Sequence, residues 1–253
     1  MKKLMTHLVA NYPNAEISFE VAKALVEGGA DVLEVQLPFS DPNADGQAIQ
    51  NACSKVLENG KTTKNGLDFI KRLRDAFPNV KIALMSYASL VFTPGVETFC
   101  KKASASGVNY MIIPDLPFDC DEGLKTYSEK YGMECVPVAA PSMSEERFQK
   151  MLDKGFKTVY AVLRAGITGT ETKVDENTIR FLKRFEVHKK SNPGFEVFGG
   201  FGINGKEQAK AISPFVDGIV AGSVFVRIID SLKETPENLK KSLTEKAKEL
   251  KVN

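Results

Sequence analysis

Phe195-Glu196-Val197-Phe198 is a short, mostly apolar run that breaks at once into Gly199-Gly200-Phe201-Gly202-Ile203. Downstream, Gly218-Ile219-Val220 breaks in the same way into Ala221-Gly222-Ser223, which opens a short helical stretch at 224–229. Glycines let backbone N–H groups approach an anion closely, and a helix N-terminus adds its partial positive charge. One GxG turn says little, because turn glycines are common. Two such turns at the same end of successive strands, the second leading into a short helix, match the phosphate site that (β/α)8 barrels build after strands 7 and 8.

Working outward from that pair, short apolar runs alternate with amphipathic helical segments along the whole chain. Strands are expected at 4–10, 31–37, 81–86, 110–114, 134–138, 158–162, 195–198 and 218–220. Most are apolar on both faces, as parallel strands covered from both sides are. Helical patterns fall at 18–27, 65–77, 95–106, 122–131, 145–152, 177–185, 206–212 and 238–250, with Gly28-Gly29, Pro78-Asn79, Gly107, Gly132, Gly155 and Pro193-Gly194 marking joins. Repeated β-then-α leaves a closed barrel or an open doubly wound sheet. Eight units, the glycine turns and a length of 253 residues favour a single-domain α/β fold, the (β/α)8 TIM barrel, over residues 1–253. The first strand starts almost at Met1, so little sequence remains to cover the N-terminal mouth.

Composition excludes several other classes. The chain is 43% hydrophobic and 26% charged, with 34 basic and 32 acidic residues for a net charge of +2, which argues against a nucleic-acid footprint. Lysines gather in the last helical segment, but Glu245 and Glu249 alternate with them, as on a solvated face. No stretch approaches the roughly 20 apolar residues of a membrane span. The lysines at the start precede only a very short apolar run, broken by Thr6 and His7 and followed by no small-residue cleavage site. Cys53, Cys100, Cys120 and Cys135 are scattered without metal-ligand spacing, which fits reduced thiols in a cytoplasmic protein.

Barrel enzymes do their chemistry at the C-terminal ends of the strands. In Asp31-Val32-Leu33-Glu34-Val35-Gln36-Leu37, alternation puts Val32, Glu34 and Gln36 on one face and Leu33, Val35 and Leu37 on the other. The wholly apolar set belongs against the helices, which turns Glu34 into the barrel. An unpaired carboxylate there is costly, so Glu34 reads either as an acid–base group or as half of a structural ion pair. The strand runs into Pro38-Phe39-Ser40-Asp41-Pro42-Asn43-Ala44-Asp45-Gly46. Asp45 is a second chemical candidate, or simply the N-cap of a helix starting near Gln47. The segment 164–172, rich in Gly and Thr, reads as a lid or as an ordinary surface loop. Tyr87 and Tyr160 lie near strand ends, where they could wall an aromatic substrate or fill core.

The stretch from Leu33-Glu34 through Leu37-Pro38-Phe39-Ser40-Asp41-Pro42-Asn43-Ala44-Asp45-Gly46 resembles the signature of the alpha subunit of tryptophan synthase. The segments Tyr87 to Phe92, Pro114-Asp115-Leu116-Pro117, Arg164 to Gly169, Gly200 to Ile203 and Ala221-Gly222-Ser223 match that family in order and spacing. The resemblance implies retro-aldol cleavage of indole-3-glycerol phosphate to indole and glyceraldehyde 3-phosphate. It implies Glu34 as the proton-transfer group and Asp45 as the partner of the indole N–H, with Thr168 closing onto Asp45. It assigns the phosphate to Gly169, Gly200, Gly202, Gly222 and Ser223, and the pocket walls to Tyr87 and Tyr160. It implies no metal or cofactor in this chain, and a pyridoxal-phosphate-dependent beta subunit as partner in an α2β2 heterotetramer, docked on the Asp41-Pro42 loop and its neighbours.

Several positions depart from the family pattern. Gln36 stands where glycine is typical, Gln47 where proline is common, and Asn43 and Ser89 replace other residues. His7 stands where an aromatic residue is expected, with packing and chemical roles both open, and the family's leading helix is expected to be largely absent. Three rival readings remain: another phosphate-binding barrel enzyme, a non-catalytic activator of a beta subunit, and a free-standing lyase.

Overall fold

The computed structural model describes residues 1–163, 174–200 and 202–253. Its strands are β1 (Lys3–Val9), β2 (Val32–Gln36), β3 (Lys81–Met85), β4 (Tyr110–Ile112), β5 (Glu134–Cys135), β6 (Val138–Ala139), β7 (Thr158–Val162), β8 (Glu196–Gly200) and β9 (Gly218–Ala221). All pairings are parallel, in the order β5-β4-β3-β2-β1-β9-β8-β7-β6.

The two ends of that order are pieces of one strand. Only Val136 and Pro137 separate β5 from β6. The Val136 N–H donates to the Met111 carbonyl on β4 at 2.8 Å, and the Pro137 carbonyl accepts from the Tyr160 N–H on β7 at 3.0 Å. Proline has no N–H for the ladder, so the strand expected at 134–138 is interrupted there while still bonding to both neighbours. The ring therefore closes with eight staves, and the fold is the (β/α)8 barrel.

The helices are α1 (Ala15–Glu27), α2 (Gln47–Glu58), α3 (Thr63–Ala76), α4 (Ala88–Phe92), α5 (Val96–Ala105), α6 (Leu124–Lys130), α7 (Glu145–Asp153), α8 (Glu176–Ser191), α9 (Lys206–Ile212), α10 (Ser223–Leu232) and α11 (Pro236–Leu250). Local chemistry sets their starts. The Asn14 side chain accepts from the Glu16 and Ile17 N–H groups and starts α1 ahead of the expected residue 18. Thr62 and Asn65 form a capping box on α3, and Asp175 caps α8. The single-turn helix α4 is an addition to the expected set. Among the described residues, no helix is long and apolar enough to cross a membrane.

The strands bury both faces in two separate clusters. Leu33 and Val35 pack outward with the helices, whereas Val32 packs inward with Met5, Tyr160, Phe198 and Val220. The expected parity of β2 therefore holds, with Glu34 and Gln36 on the inner face. At the N-terminal rim, carboxylates tie strand starts to the outer layer. Asp31 accepts from the Leu4 N–H at 2.6 Å and pairs with Lys251. Asp217 accepts from the Val197 N–H and from Lys189, each at 2.7 Å. Lys3 pairs with Glu196 at the same rim.

Candidate active site

The C-terminal end of the barrel gathers a polar group inside an apolar ring. Glu34 on β2 is 4% exposed and faces His7 directly across the β1–β2 register. His7 Nδ1 lies 3.3 Å from Glu34 Oε2. Burial works to lower the His7 pKa, but its contact with Glu34 and the charges of Glu34 and Asp45 together raise it above the ordinary value. Glu34 is thus paired, with a group that is itself ionisable.

Asp45 is 3% exposed and reaches the same interior from the loop after β2. It is not a helix cap: α2 is capped at Gly46, and no side chain caps it. Instead Asp45 Oδ2 accepts from Gln36 Nε2 at 2.8 Å and from the Tyr87 hydroxyl at 2.7 Å. Burial raises the Asp45 carboxyl above its ordinary range, and Glu34 adds to that. The His7 charge and the Tyr87 and Gln36 hydrogen bonds pull it down without cancelling the shift.

Tyr87, just after β3, stacks on Phe39 at 5.1 Å between ring centroids, and its hydroxyl also accepts from the Ala44 N–H at 3.1 Å. It therefore clamps the Asp45 loop as well as lining the interior. Tyr160 on β7 is buried inside the barrel, and burial, with the charges of Glu34 and Asp45, holds its phenol protonated well above the usual range.

The glycine turns open at the same end. A side chain on Gly200 would meet Val220 Cβ at 2.6 Å and the Tyr160 hydroxyl at 2.9 Å. Gly200 is thus required by packing, whatever else its backbone does. Gly202 has φ +76°, the left-handed region that favours glycine. Gly222 is the N-cap of α10 and supplies no capping side chain, and Ser223 is the first helical residue. The α10 N-terminus, with its orphan N–H groups and partial positive charge, therefore points at the barrel mouth from β9. Thr168 and Gly169, with the rest of the expected lid, lie outside the described residues, as does Phe201.

The structure adds two participants whose partners the sequence did not reveal. Gln36 was legible as an inward-facing residue and a departure from glycine, and it holds Asp45. His7 was legible only as a departure from an aromatic residue, yet it pairs with Glu34. The available signal was parity: both share the inward face with Glu34.

The model of the family described as tryptophan synthase alpha chain matches residues 1–253. The chain belongs to the tryptophan synthase alpha chain family. It is similar to the tryptophan synthase alpha chain of Helicobacter hepaticus, at 39% identity over 91% of this chain and 86% of that one. The corresponding chain of Methanosarcina barkeri is 39% identical over 98% of this chain and 90% of its own length. Among solved structures, a chain from a study of the Pyrococcus furiosus tryptophan synthase α2β2 complex superposes with a TM-score of 0.85 at 29% identity, covering 99% of each chain. A chain of Mycobacterium tuberculosis tryptophan synthase gives a TM-score of 0.85 at 27% identity, covering all of this chain and 93% of that one. Family membership accounts for the barrel and the loop signature, while His7 and Gln36 are read from this chain's own geometry.

Proposed function

We propose that this chain is a carbon–carbon lyase, the alpha subunit of tryptophan synthase in L-tryptophan biosynthesis. It cleaves indole-3-glycerol phosphate to indole and D-glyceraldehyde 3-phosphate. The observation that carries this reading is the placement of two buried carboxylates, Glu34 and Asp45, in one barrel mouth beside the α10 N-terminus.

Retro-aldol cleavage needs a proton delivered to the ring carbon that bears the side chain. The adjacent hydroxyl then loses its proton, the bond between ring and side chain breaks, and its electron pair returns to the ring as the hydroxyl carbon becomes the aldehyde. Glu34 carries these proton transfers. Asp45 takes the indole N–H and stabilises the positive charge that develops on the protonated ring. Tyr87 and Tyr160 wall the indole. Gly200, Gly202, Gly222 and Ser223 hold the phosphate together with Gly169, and Thr168 closes onto Asp45.

The partner in this reading is the beta subunit, which holds pyridoxal phosphate and receives the indole in an α2β2 assembly. The Asp41-Pro42 loop and neighbouring βα loops form the contact, and the cytoplasm is the compartment. The test is indole release from indole-3-glycerol phosphate, with and without the beta subunit. Release that is abolished by Glu34→Gln supports the assignment. No indole under either condition overturns it, and full release without the partner points to a free-standing lyase. Beta-subunit activation that survives while no cleavage occurs points to a regulatory barrel.

A further inference from the structure

His7 Nε2 is a buried polar atom with no hydrogen-bond partner among the described residues. A buried, unsatisfied ring nitrogen is costly, and the rest of the ring is well occupied. On one side Nδ1 meets Glu34 at 3.3 Å. On the other, a Cβ built on Gly222 would lie 3.2 Å from His7 Cβ, 3.5 Å from Cγ and 3.8 Å from Cδ2, the carbon bonded to Nε2. The His7 side chain therefore adjoins both the carboxylate on β2 and the glycine that opens α10.

Among the described residues, the charged groups facing this ring are of one sign. Glu34 comes from β2 and Asp45 from the loop behind it; Tyr160 on β7 and Tyr87 after β3 adjoin those two carboxylates and stay protonated. The β9 side contributes Gly222 and Ser223, which carry no ionisable group, and the positive end of the α10 dipole. Two acids favour a protonated ring. The helix end opposes it unless an anion or an oxygen-rich ligand lies between them.

We propose that His7 binds the substrate's glycerol phosphate arm and positions Glu34, with Nδ1–H fixing the carboxylate and Nε2–H donating to an oxygen of the arm where it passes from Glu34 to the Gly222-Ser223 turn. This inference rests on reading the barrel mouth as an indole-3-glycerol phosphate site. A protonated imidazole supplies both donors at once, and the upward shift of the His7 pKa by Glu34 and Asp45 agrees with that form. An aromatic residue at the same place would pack equally well and offer neither donor. The prediction is therefore chemical rather than steric.

The chain has only two histidines, so both can be followed through a pH titration by NMR on the full protein. His188 on α8, whose pKa burial lowers, is the internal reference. The His7 signal is expected to titrate above 6.5, to fall in Glu34→Gln, and to move when glycerol 3-phosphate is added, while His188 stays unchanged. In kinetics, His7→Phe is expected to raise KM for indole-3-glycerol phosphate by about tenfold, the loss of one charge-assisted hydrogen bond. It should also shift the pH profile of kcat/KM. His7→Gln, which keeps one donor, is expected to recover part of the KM loss but not the profile. A His7 that ignores both Glu34→Gln and glycerol 3-phosphate, together with a His7→Phe enzyme of normal KM and profile, overturns the inference and leaves the lyase reading standing. A His7 that responds to both in a protein that releases no indole keeps the arm-binding role and removes the lyase reading instead.

Discussion

Asp31 and Glu34 belong to one short segment of chain, the first just ahead of β2 and the second within it, and they meet different chemistry at opposite ends of the barrel. Asp31 accepts a strand-start N–H and pairs with Lys251, and Asp217 across the same rim does the same with Val197 and Lys189. These contacts tie strand starts to the outer layer of the barrel. Glu34 and Asp45 instead meet His7, Gln36 and Tyr87. Those partners are an ionisable imidazole and two neutral donors, and among the described residues His7 Nε2 and Gln36 Oε1 are left unpartnered. At the closed end Asp31 and Asp217 are each held by a backbone N–H and a lysine; at the open end, among the described residues, two buried polar atoms beside the carboxylates are left over. That contrast separates a carboxylate that holds structure from one that can exchange a proton.

Glu34→Gln puts the largest strain on this comparison. It keeps the shape of the side chain and removes the proton-transfer group of the proposed mechanism, so indole release is expected to fall by roughly 10²–10⁴-fold, with the thermal transition little changed. A steady-state indole assay beside a melting curve checks both halves. A Glu34→Gln protein that melts early but still turns over would move Glu34 into the same class as Asp31.

Much of this division could be read in the chain, and the limits have a physical cause. Strand alternation is local, so the inward face of β2 and the loop to Asp45 were visible from residues 31–46. Partnership is not local. His7 reaches Glu34 only because β1 pairs with β2 in one register, and Tyr87 reaches Asp45 from the far end of β3. Asp45 therefore kept a helix-cap reading that the structure removes, since Gly46 takes that place. Gly200 was read as an anion turn, but its crowding by Val220 and Tyr160 depends on three strands meeting. The interruption of the fifth stave is the reverse case: Pro137 stood in plain view, and the missing N–H is a local fact.

Tyr87→Phe probes the open end more gently. The ring keeps its stacking on Phe39 and loses the hydrogen bonds to Asp45 and Ala44. A hydrogen bond to a charged group contributes about 1.5–3 kcal/mol, and Gln36 still holds the same oxygen. The expected outcome is a fall in kcat of about tenfold with a smaller change in KM, measured with indole-3-glycerol phosphate. An unchanged kcat would mean that the clamp is structural and that the open end resembles the rim more than its geometry implies.

Asp217→Ala asks the converse question at the closed end. It leaves the Val197 N–H and the Lys189 ammonium without their acceptor, at a cost of about 1–3 kcal/mol. For a chain of this size that lowers Tm by about 2–4 °C for each kcal/mol. Turnover is expected to stay at the level of the unaltered protein. A turnover loss larger than the loss of folded protein would show that the two ends are coupled.

The smallest effect lies in how stability at the two ends follows pH. His7 has a folded-state pKa above its ordinary value of 6.5 because of Glu34 and Asp45, against the pull of burial. A raised pKa means that the pair stabilises the fold fully below the unfolded value, and that this contribution fades as pH climbs through the folded one. The Tm difference between the unaltered protein and His7→Phe should therefore be largest in mildly acidic solution and shrink as pH rises past 6.5. The Asp217→Ala protein serves as the closed-end reference, since Asp217 meets Lys189 and the Val197 N–H and not His7. Melting curves of the three proteins at matched ionic strength decide it. A His7→Phe difference that does not change with pH would mean that His7 carries no exchangeable charge toward Glu34, and the contrast between the two ends would reduce to packing.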